Sequence, residues 1–129
     1  MRVLLSTGVD VGSSKAIAAH AASVSQLASA HLARLVGELG MRTMFERSIH
    51  LAGASHPCLR SKTVKESPYE ALRQCLEPEP PEVAMEAAVR ALLTFTEMLE
   101  RFIGKGLVAS LLHEVWPAIF PSAAAKEMQ

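Results

Sequence analysis

Between residues 82 and 117 apolar side chains return at helical spacing and predict two amphipathic helices in succession. Ala88, Leu92, Phe95, Leu99 and Phe102 recur at three- and four-residue steps, with Met85, Val89 and Ile103 widening the stripe. Glu86, Arg90, Thr94, Glu97 and Arg101 occupy the other side. Glu86 precedes Arg90, and Glu97 precedes Arg101, by four residues. That orientation stabilises a helix by only about 0.2–0.5 kcal/mol per pair, so burial of the stripe dominates. Gly104-Lys105-Gly106 breaks the pattern, which resumes at Leu107, Val108, Leu111, Leu112 and Val115 and stops at Trp116-Pro117. The glycines let the chain turn back, so an antiparallel helical hairpin is expected.

Upstream the same period recurs. Residues 1–13, with Gly8 and Gly12, read as a loose arm, after which Ser13 or Ser14 can cap a helix. From Lys15 to about Val36, a stripe of Ile17, Ala21, Val24, Leu27, Ala28, Leu32 and Leu35 predicts the buried face. The opposite side, Ala19, Ala22, Ser25, Gln26, Ser29, Ala30 and Ala33, carries no charge. A solvated face normally carries Lys and Glu; small, weakly polar residues instead permit another helix to approach closely. Gly37 and Gly40 each weaken a helix by about 1 kcal/mol relative to alanine and mark a break, kink or tight crossing. Met41, Met44, Phe45, Ser48, Ile49 and Ala52 continue the pattern to Gly53, which leaves one bent helix and two separate helices both open.

Residues 54–81 turn to Ser, Lys, Pro and isolated hydrophobics, a long connection. Within it Ser67-Pro68-Tyr69-Glu70 places a capping serine before a proline at the first helical position and a glutamate at the third, predicting a short helix over 68–76. Pro81 with Glu82 then suits the start of the next helix. Residues 122–129 lack an apolar stripe and are expected to fray. At 129 residues, rich in Ala, Leu and Met and poor in aromatics, the chain reads as one all-α domain. A small antiparallel bundle of about four main helices plus the short connecting helix is expected.

Thirteen basic and thirteen acidic residues cancel, so no global field draws in nucleic acid or an anionic membrane. No apolar run approaches the roughly 20 residues needed to span a bilayer, and residues 1–8 lack the hydrophobic region of a secretion signal. The expected location is the cytoplasm, with Cys58 and Cys75 as reduced thiols.

Candidate chemistry is sparse. His20 and His31 lie on one helix side, about 20° apart in projection but roughly 16 Å apart along the axis, too far for one ion. They read as polar positions at the core edge. Glu46 and His50 are one turn apart, yet the paired Glu-x-x-His motifs of di-iron bundles are absent. His56-Pro57-Cys58 and Cys75 offer soft ligands without a second short-spaced pair. No phosphate-binding glycine loop, carboxylate pair or Ser-His-Asp arrangement is present. No catalytic residue, metal or cofactor is therefore assigned.

His50-Leu51-Ala52-Gly53-Ala54-Ser55 resembles in part the His-x-Leu-Lys-Gly pattern of bacterial histidine phosphotransfer domains, which are helical bundles. The leucine and glycine each come one position early, and Ala52 replaces the lysine whose charge favours a phosphorylated imidazole. The resemblance implies His50 as an alternative phospho-acceptor. A second alternative is an apolar ligand pocket lined by Met41, Met44, Phe45, Phe95, Met98 and Phe102. The leading expectation is a non-catalytic interaction or regulatory module whose partner is a second copy or another helical protein. Its contact face is Ala19, Ala22, Gln26, Ser29 and Ala33, with the Gly37–Ala52 segment or the aromatic C-terminal end next in line.

Overall fold

Ser13 opens the first long helix by accepting a hydrogen bond from the Ala16 amide at 3.2 Å, as a capping serine should. The computed structural model describes residues 2–6, 8–59 and 67–116. In order, these form α1 (Arg2–Ser6), α2 (Ser14–Val36), α3 (Glu38–Ala52), a 3-10 turn (Pro57–Leu59), α4 (Pro68–Leu76), α5 (Pro81–Ile103) and α6 (Lys105–His113). Among the described residues every regular element is helical, and the helices pack against one another. The all-α expectation holds, and none of these helices is long and apolar enough to cross a membrane.

Gly37 separates α2 from α3, so residues 14–53 form two helices. Its N–H closes α2 on the Ala33 carbonyl at 2.8 Å, and its own carbonyl accepts from Met41 of α3 at 3.0 Å. It does both at φ +93°, a backbone conformation that a side chain opposes. Gly104 repeats the device at φ +91°, ending α5 on Glu100 and starting α6 at Val108. The break is thus one residue, not three: Lys105 and Gly106 belong to α6, and helix geometry ends at His113, ahead of Trp116.

Local sequence places α4 where it was expected. Ser67 accepts from the Tyr69 and Glu70 amides, Pro68 occupies the first turn, and Arg73 bridges Glu70 and Glu77 along its surface. Pro81 and Glu82 likewise begin α5.

Helix α2 is the hub, touching each of the other five and packing most extensively on α4; the next largest contact joins α3 to α5. Phe45 of α3 sits edge-on to Phe95 of α5, ring centroids 5.1 Å apart, and 4.8 Å from the Tyr69 ring of α4. Leu72, Leu92, Leu99 and Trp116 complete the centre. Pro117, Phe120 and residues 122–129 lie outside the described residues.

Three expectations need correction. The arm is not merely loose: α1 inserts Leu5 fully into the core, and His20 Nε2 donates to the Leu4 carbonyl at 3.0 Å. The α2 stripe is rotated from the predicted one, leaving Leu27 57% and Leu35 54% exposed while Ser25 and Ser29 are buried. Ser29 there meets Tyr69 of α4, the helix on which α2 packs most extensively. At the end of α5, Phe102 is 63% exposed and does not extend the buried line through Leu99.

Candidate functional site

The expected contact face of α2 does not stay intact as a surface. Ala19 and Gln26 are exposed, Ala22 and Ala33 are half-buried, and Ser29 is buried within the monomer. The expected apolar pocket divides as well. Phe45 and Phe95 fill the core against each other, and Met41 is buried beside them. Met44 and Met98 instead reach a surface groove.

That groove, about 460 Å³, runs between α3 and α5 and is lined by Leu39, Gly40, Thr43, Met44, Arg47 and Met98. Buried Ser48 touches both of its methionines, its hydroxyl donating to the Met44 carbonyl at 2.9 Å and lying 3.2 Å from the Met98 sulfur. Leu39 is 76% exposed at the rim. Phe102, exposed one helical turn beyond Met98, continues the same face of α5.

A second cleft, about 220 Å³, lies where three helices meet. Gln26, Ser29 and Ala30 come from α2, Glu38, Met41 and Arg42 from α3, and Ser67 and Tyr69 from the start of α4. Burial pushes the Tyr69 phenol above its ordinary range, offset in part by the nearby Ser29 hydroxyl and the Arg42 cation, while Glu38 adds to the rise. Ser29 Oγ is nonetheless buried without a hydrogen bond of normal geometry. Sequence reading named Gln26, Ser29, Ala30, Met41, Ser67 and Tyr69 for other reasons and gave Glu38 and Arg42 no role. No spacing rule joins residues 26–30, 38–42 and 67–69; only the position of the single tyrosine just after a capping Ser-Pro was visible.

The histidines and cysteines stay dispersed. His31 Nε2 meets the Glu114 carboxylate at 3.2 Å, which ties α2 to the turn after α6. His50 is exposed on α3, and His56 lines a shallow depression with Glu86, Val89, Arg90 and Leu93. Cys58 is half-buried and Cys75 buried, and neither is in a disulfide. Burial, then the charges of Glu79 and Cys75, push the Cys58 thiol up, the opposite of what activates a nucleophile. Among the described residues no three His, Cys, Asp or Glu side chains converge as metal ligands.

No protein-family model matches the chain, and neither a curated protein nor a solved structure matches it significantly.

Proposed function

We propose that this chain is a non-catalytic helical interaction module that self-associates, with the α3–α5 groove as its contact surface. The observation that carries the reading is the apolar wall of that groove: Leu39, Met44 and Met98 face outward beside an exposed Phe102. Leaving a large apolar side chain in water forgoes roughly 1.5–3 kcal/mol relative to burial, so a partner that covers several gains substantially. Methionine adapts to an imperfect fit, which suits a surface that must also remain tolerable when uncovered.

The occupant is a second copy. A twofold contact requires one patch to complement itself, and this patch has an apolar centre with charges of both signs around it. Arg47 lines the groove, and Glu46, Glu97 and Arg101 are exposed on the same two helices. A chain with formal net charge zero does not repel its copy. The Ala/Ser face of α2 is the weaker alternative because part of it is already spent on contacts within the monomer.

Equilibrium sedimentation across a concentration series tests this. The wild type should associate to a dimer, and Leu39→Glu with Phe102→Glu should be monomeric with unchanged helical circular dichroism. Ala22→Glu with Ala33→Glu is the comparison pair. Dissociation by that pair alone would return the interface to α2, and a wild-type monomer throughout would end the self-association reading.

A further inference from the structure

Ser29 is the outlier among the buried hydroxyls. Ser25 donates to the Ala21 carbonyl at 2.6 Å, Ser48 to Met44 at 2.9 Å and Thr96 to Leu92 at 2.9 Å, each one turn back along its own helix. The same acceptor, the Ser25 carbonyl, stands one turn before Ser29, and Ser29 does not use it. It lies instead beside the Tyr69 phenol, whose titration it holds down, and a buried hydroxyl that forgoes an available bond on its own helix is turned toward the cleft. It lines the cleft between α2, α3 and α4.

We propose that this cleft binds a small zwitterionic carboxylate of the free amino acid class. The cleft is lined by the Arg42 guanidinium, the Tyr69 phenol and the Ser29 hydroxyl, and it adjoins the start of α4, whose dipole is positive at that end. The Tyr69 and Glu70 amides are occupied by Ser67, so α4 contributes its field while Arg42 and the hydroxyls supply hydrogen bonds to the carboxylate. Glu38, one turn before Arg42 on α3, provides the counter-charge for an ammonium group, and Gln26 adds an amide. Ala30 and Met41 give an apolar wall for a short side chain. Ligand pockets typically run to roughly 300–1,000 Å³, so a cleft of about 220 Å³ matches a ligand of amino-acid size. The groove on α3 proposed for self-association is a separate surface, and the two proposals fail independently.

Tyr69 is the only tyrosine, so a ring-labelled tyrosine gives a single resonance, placed where the cleft meets the core. Glycine, L-serine, L-leucine and L-glutamine are titrated, with acetate and methylamine as half-probes. Saturable shifts of the Tyr69 signal are expected for at least one amino acid, with affinity at least about tenfold above either half-probe. Arg42→Gln and Glu38→Gln should each weaken that binding by about tenfold or more while leaving circular dichroism unchanged. Ser29→Ala should weaken binding too, with circular dichroism unchanged. No saturable shift with any amino acid, or acetate bound as tightly as the best of them, overturns the proposal.

Discussion

The indole Nε1 of Trp116 donates a 3.3 Å hydrogen bond to the carbonyl oxygen of Val24, joining positions 92 residues apart. Val24 lies in the middle of α2, where a carbonyl engaged in the helix still has a second lone pair to offer. Trp116 thereby lets its ring be buried to 99% without stranding its N–H, being 1% exposed. The C-terminal side of α6 is thus held to the hub helix at two levels about two turns apart, here at Val24 and again where His31 meets Glu114.

Removing that link should be costly. Trp116→Ala is expected to destabilise by about 3–5 kcal/mol in urea unfolding, and Trp116→Phe, which keeps a ring but loses the N–H, by about 1–2 kcal/mol. Being the only tryptophan, Trp116 should emit at short wavelength in the native protein and resist quenching by iodide. Emission typical of water-exposed indole would show that the closure does not exist.

Leu99 and Phe102 occupy one predicted stripe and should behave as opposites. Leu99→Ala removes a fully buried side chain and should cost about 2–5 kcal/mol. Phe102→Ala, at 63% exposure, should change monomer stability by no more than about 0.5 kcal/mol. Equal losses would place Phe102 in the core after all.

The contrast between those two residues shows what a sequence pattern can carry. Period gives the helix and its mean apolar direction, and local chemistry gives the ends: Ser13, Ser67-Pro68 and Pro81 start helices where they were expected to. The width of the buried arc depends on which neighbours arrive. Leu27 and Leu35 are left outside because the neighbours of α2, α4 foremost, pack on a different arc of it, and no property of α2 alone announces that. The α1 helix was missed for a similar reason, since five residues hold helical shape only by packing Leu5 and meeting His20. The three-helix cleft was illegible because its residues share no element. His50, Cys58 and the other reactive side chains were easy to name, and the fold does not bring them together.

Glycine substitutions should separate junction from helix. Gly37→Ala forces a side chain into φ +93° and should destabilise by about 1 kcal/mol or more. Gly106 lies inside α6 with nothing within 4 Å of an added Cβ, so Gly106→Ala should stabilise by about 0.5 kcal/mol. Thermal unfolding midpoints moving in the same direction for both would contradict this assignment of the break.

The last prediction is a loss of stability in alkali. Burial raises both the Cys58 thiol and the Tyr69 phenol above their ordinary values. Unperturbed, these titrate near about 8.5 and about 10 respectively. In the interval between each unfolded value and its raised folded value, the native state holds a proton that the unfolded state has released. Stability therefore falls as pH rises, and the contribution present below the unfolded values is lost on passing through the folded ones. Urea unfolding at stepped pH should show a decline that begins near about pH 8.5 and steepens beyond about pH 10. Cys58→Ser should remove the earlier part and Tyr69→Phe the later part, each measured against its own neutral-pH stability. A profile that stays flat across both ranges, or rises, would mean that neither group is shielded from water as the fold requires.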